Sequence, residues 1–186
     1  MTIYVCSMPE MPRHVETLRP SHLVSLVPPL DQPPTPPQIA PERHLRLSID
    51  DITEPLAGYV LPDVYHIATL VDFLMGRADD EPILLHCVAG VSRSMAAALI
   101  ALTLDAEGQE TEMALRLRRA APHARPNTRM VALADDVLCR DGRLVEACRR
   151  MGPATDTLPG PLVRLSPFTD VQRPAAVDLT LAAMPA

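Results

Sequence analysis

The stretch with the densest chemistry is His86-Cys87-Val88-Ala89-Gly90-Val91-Ser92-Arg93-Ser94, which ends one apolar run and opens another. A chain that leaves a buried strand and turns straight into a helix aims successive backbone N–H groups into one concavity, to which the helix N-terminus adds partial positive charge. An anion the size of phosphate fits there, held by the backbone of Val88, Ala89, Gly90, Val91, Ser92 and Arg93. Gly90 allows conformations that a Cβ would obstruct. Arg93 adds a planar, permanently charged fork able to hold two oxygens at once. Cys87 stands at the floor of the same concavity, so the donors that hold an anion would also stabilise a thiolate and make it a nucleophile near neutral pH. Ser94 can hydrogen-bond the sulfur and favour it as a leaving group. His86 precedes Cys87 on the strand and points to the opposite side, which suits it to orienting the loop.

This segment resembles the H-C-x-x-G-x-x-R-S/T pattern of the protein tyrosine phosphatase superfamily, and its G-V-S-R-S wording is similar to the dual-specificity branch. The resemblance covers about residues 44 to 121. It implies phosphate monoester hydrolysis through a phosphocysteine intermediate, with Cys87 as nucleophile and Arg93 as phosphate clamp, and with no metal ion or cofactor. It also implies a carboxylic acid upstream, on a separate loop that follows an alternating strand. Asp51 takes that place in register with Leu47-Ser48-Ile49, and Asp50 is the alternative. Two other readings fit the same loop: a phosphate-recognition module without useful turnover, and rhodanese-like sulfur or arsenate chemistry at the thiolate.

Around the loop, the sequence supplies a plausible frame. Ile3 to Cys6 and His22 to Val27 are short β-branched and apolar runs, and His44 to Ile49 alternates at period 2; all three read as strands. Pro82 to Cys87 is the continuous apolar run of a buried central strand. Helical spacing follows Pro62 up to Gly76, then from Ser94 to Leu104, Thr111 to Ala121, Asn127 to about Arg140, and Arg143 to Arg150. Asn127 reads as a helix cap. Seven of the fourteen residues from Pro28 to Pro41 are proline, which predicts an extended surface connector, read as a spacer. The expected fold is α/β, a small, mostly parallel central sheet flanked by helices, with the site at the C-terminal ends of the strands. Residues 1–150 are expected to form the phosphatase-like domain and residues 151–186 a Pro-rich, partly extended or disordered tail.

The net charge of −6 and the absence of Trp, with 3% aromatic residues, argue against a nucleic-acid groove. Every basic residue is Arg, so Schiff-base chemistry at Lys is excluded. The longest apolar stretch, Met95 to Leu104, is about half a membrane span. The N-terminus lacks a basic region ahead of an apolar core, and the four cysteines show no pairing pattern, so a cytoplasmic protein with reduced thiols is expected. The expected partner is a phosphorylated protein or a small phosphate ester.

Overall fold

A computed structural model describes residues 2–78 and 81–166. Its sheet is built around β4 (Ile83–Cys87), which is buried along its whole length. That strand runs parallel to β1 (Ile3–Ser7) on one side and β2 (His22–Val27) on the other. β3 (His44–Ser48) extends the parallel set beyond β2. β5 (Val163–Leu165) pairs antiparallel with β1, giving the order β3-β2-β4-β1-β5. A strand flanked on both sides and covered on both faces has no use for polar alternation, which is why β4 reads as one apolar run.

Five helices cover one face: α2 (Val64–Met75), α3 (Arg93–Thr103), α4 (Glu110–Ala120), α5 (Thr128–Val137) and α6 (Arg143–Arg150). α3 sits deepest, and its Ala96, Ala97, Ala98 and Ala101 let the helix approach the sheet with little side-chain bulk between. α2 begins two residues past Pro62, with Asp63 as its cap: Asp63 accepts from the His66 amide (3.0 Å) while the His66 ring accepts from the Asp63 amide (3.3 Å), a reciprocal pair. No helix of the described residues is long and apolar enough to cross a membrane.

The opposite face is covered by elements that periodicity does not predict. A two-turn helix, α1 (Met11–Leu18), buries Met11 and Val15, four residues apart, against Cys6, Leu23 and Leu84. Pro12 lies in its first turn, where proline is tolerated. The Pro28–Pro41 segment completes this cover and is more than a spacer. It buries Ile39 in the same cluster, and Gln32 Nε2 donates to the carbonyls of Val27 and Leu47, both at 3.0 Å. Past α6 the chain returns to the sheet as β5, so residues 163–165, within the stretch expected to be a tail, belong to the central sheet. The last part of that stretch, 167–186, lies outside the described residues.

Candidate active site

β4 delivers Cys87 to the C-terminal edge of the sheet, Val88 to Ser92 form a tight loop, and Arg93 opens α3. Gly90 has φ +72°, and a Cβ there would stand 2.8 Å from the Cys6 carbonyl carbon and 2.9 Å from the Ser7 nitrogen, so only glycine lets the loop lie on the end of β1. The loop's carbonyls are drawn outward: Val88 O accepts from Met8 N (3.1 Å), Ala89 O from Gly160 N (2.9 Å) and Val91 O from Arg125 N (2.9 Å). Because each peptide is planar and trans, the N–H groups of those units turn the opposite way from their carbonyls. Gly90 N–H accordingly donates to Cys87 Sγ at 3.2 Å. The Ser94 hydroxyl lies 3.2 Å from the same sulfur.

The loop floors a cavity of about 850 Å³ lined by Cys87, Val88, Ala89, Val91, Ser92 and Arg93 together with Asp51. Arg93 is 4% exposed, and its Nη1 donates to Ile49 O at 2.8 Å, which fixes the guanidinium against the end of β3. Its Nε is buried, has no hydrogen-bond acceptor among the described residues, and lies 3.9 Å from Asp51 Oδ2. A fixed cation with a spare, desolvated donor beside inward-facing amides is the requirement for binding an oxyanion.

Asp51 and Asp50, which the sequence leaves as alternatives, have different surroundings. Asp51 lines the cavity, and its Oδ1 accepts from Ser92 Oγ (2.6 Å) and Asn127 Nδ2 (2.8 Å), while Oδ2 is the oxygen nearer Arg93. Asp50 faces away: Oδ2 accepts from Val60 N (2.7 Å) and its own amide donates to Val60 O (2.8 Å), closing the base of the loop that carries Asp51. Asn127 has two uses. Its Oδ1 caps α5 by accepting from Met130 N (3.1 Å) while its amide nitrogen holds Asp51. The cap is readable from sequence, but the second use depends on a partner far along the chain. Arg129, in contrast, donates to Pro62 O (2.6 Å) and ties α5 to the start of α2. Among the described residues, no group of three or more His, Cys, Asp or Glu side chains could hold a metal ion.

No family model and no curated protein matches the sequence. Solved structures do match the fold. The crystal structure of DUSP15 superimposes with a TM-score of 0.59 at 16% identity, covering 80% of this chain and 89% of that one. PTPMT1 in complex with PI(5)P gives 0.53 at 16% identity, over 81% of this chain and 94% of that one. Human DUSP28 gives 0.51 at 17% identity, over 81% and 95%. The fold is that of the dual-specificity phosphatases. In this dual-specificity phosphatase fold the Cys87 loop occupies the C-terminal edge of the parallel strands, where open α/β sheets hold their ligands.

Behind the loop, His86 points to the other side of the sheet from Cys87 and joins a buried polar chain. Its Nε2 lies 2.6 Å from Ser25 Oγ, Ser25 Oγ lies 2.8 Å from His44 Nε2, and His44 Nδ1 lies 2.9 Å from Thr35 Oγ1 in the proline-rich segment. A hydroxyl has one proton and two lone pairs, so at most one of the two rings can accept from Ser25 at Nε2 and at least one must donate there. Burial holds both imidazoles down at about 4, against an ordinary 6.5. The unfolded chain protonates these rings below pH 6.5 and the folded chain does so only near pH 4. The unfolded state therefore binds more protons throughout that window, and stability falls as the pH drops through it. Urea midpoints should decline from pH 7 to 4.5, and more shallowly in His44→Gln; an equal decline in both proteins would remove His44 from the account. Cys6, next to His86 in register across β1 and β4, packs in the α1 cluster rather than with Cys87, and burial pushes its thiol up to about 12.

Proposed function

We propose that the protein is a cysteine-dependent phosphate monoester hydrolase, a protein tyrosine or dual-specificity phosphatase acting through a phosphocysteine. The observation that carries this reading is the buried Arg93 Nε, without a hydrogen-bond acceptor among the described residues, beside a loop whose Gly90 amide donates to the Cys87 sulfur, in one cavity with Asp51. The amides of Val88 to Arg93 and the Arg93 guanidinium bind the three non-bridging oxygens. Cys87 Sγ attacks phosphorus in line with the ester oxygen, and the P–O bond breaks as Asp51 gives that oxygen its proton. In the second step Asp51 takes a proton from water, the water oxygen attacks phosphorus, and the P–S bond breaks. Ser94, 3.2 Å from the sulfur, stabilises the departing thiolate, and inorganic phosphate leaves. His86 holds the end of β4 from behind through Ser25.

Both steps need a reduced thiol, and the four cysteines are free, which supports a reducing, cytoplasmic setting. The phosphoinositide bound to PTPMT1 supports phosphate esters as the substrate class. The test is hydrolysis of a generic aryl phosphate between pH 5 and 8, with reductant and without added metal. Turnover that orthovanadate inhibits is expected. Phosphate binding without turnover would replace this reading by a recognition module, and turnover that requires a divalent metal would overturn the cysteine mechanism.

A further inference from the structure

Beyond α6 the chain crosses the mouth of the cavity as a strap fastened at both ends. Arg118 of α4 donates to the carbonyls of Met151 and Gly152, both at 3.2 Å. Thr155 N donates to Pro122 O (2.9 Å), and Asp156 is ion-paired with Arg125, a residue that itself lines the cavity. Gly160 N then donates to Ala89 O in the Cys87 loop, and β5 fixes the far end to the sheet. At Gly160 a Cβ would stand 2.6 Å from His123 Nε2 and 2.9 Å from Gly90 O, so only a hydrogen fits between the strap and the loop. Between these fastenings Leu158 lines the cavity while 76% exposed.

Leu158 is not an isolated surface leucine, which would need no explanation. Leu56, on the segment that follows Asp51, and Val88, the first residue after Cys87, line the same cavity and are 54% and 38% exposed. Three aliphatic side chains brought from three distant parts of the chain thus stand in water around a floor made for an oxyanion. An amphipathic site of this kind matches an ester that is anionic at phosphorus and apolar immediately beyond it.

We propose that the strap 155–160 is the selectivity wall of the site, and that Leu158 with Leu56 and Val88 receives the apolar alcohol portion of a phosphate monoester. This rests on the phosphatase reading and adds a substrate preference to it. The experiment compares kcat/KM for 4-acetylphenyl phosphate and 4-octanoylphenyl phosphate, whose leaving phenols are matched in acidity, both kept below their aggregation concentrations. Wild type should favour the octanoyl ester about ten-fold or more, the discrimination an apolar pocket gives for a few methylenes. Leu158→Ala should bring the ratio down several-fold, and Leu158→Met should restore most of it. Gly160→Ala, which lifts the strap with Leu158 intact, should lower the ratio likewise, with an unchanged circular dichroism spectrum showing that the fold survives. Turnover of both esters at a ratio near one, or a ratio that none of these variants moves, overturns the proposal alone. No turnover of either ester by wild type overturns the phosphatase reading, and this proposal with it.

Discussion

Cys87→Ser should lower turnover of an aryl phosphate by roughly 10⁴-fold or more while leaving inorganic phosphate able to bind. Apart from the Gly90 N–H and Ser94 contacts with the sulfur, which a serine oxygen can also take, the loop has anchors that do not involve residue 87. It is held by Gly90 lying on the end of β1, by Met8 N on Val88 O, and by Arg125 N on Val91 O, none of which the substitution touches. The phosphate ligands, the loop amides and Arg93, also remain. What is lost is the nucleophile: a serine hydroxyl holds its proton far more tightly than a thiol, and among the described residues the hydrogen-bond neighbours of Cys87 Sγ are the Ser94 hydroxyl and the Gly90 amide, neither of them a general base. His86, the adjacent imidazole, is turned to the other side of the sheet and committed to Ser25. Residual kcat by stopped assay and phosphate affinity by calorimetry separate the two effects. Retained turnover would refute the covalent mechanism, and simultaneous loss of phosphate binding would show that the sulfur shapes the loop after all.

The part of the site that was legible in the sequence is the part that is local. Strand, turn, glycine, arginine and helix are contiguous between His86 and Ser94, so their mutual placement follows from the backbone path and needs no tertiary information. Asp51 is different: it stands at a strand exit like many aspartates, and only the resemblance to a known pattern singled it out from Asp50. The two are separated by what their side chains meet, Val60 N for one and Ser92 and Asn127 for the other, and those contacts are made across the fold. The proline-rich segment was legible as extended backbone but not as a lid on the sheet, because Ile39 and Gln32 find their partners only once β2 and β3 are side by side. α1 is two turns long with Pro12 in its first turn, which in sequence reads as an interruption. β5 has three residues, too few for alternation to be recognised, and Gly160 shows its purpose only when the Cys87 loop is packed against it.

Asp51→Asn should lower kcat by about 10² to 10³-fold for a phosphate ester with a poor leaving group, the range that a positioned general acid contributes. Asparagine keeps the acceptor oxygen for Ser92 Oγ and Asn127 Nδ2, so the loop that carries residue 51 should stay where it is. It has no proton to give the leaving oxygen. The deficit should therefore shrink as the leaving group becomes more acidic and needs less protonation. Asp50→Asn is the control of equal size and charge change. Its new side chain can still accept from Val60 N, and Asp50 does not line the cavity, so kcat should fall by no more than a few-fold whatever the leaving group. If the large loss and the leaving-group dependence appear in Asp50→Asn instead, the general acid is one residue earlier. If neither variant shows them, the proton reaches the leaving group from elsewhere, and Ser92 with Asn127 serves only to position Asp51 beside Arg93.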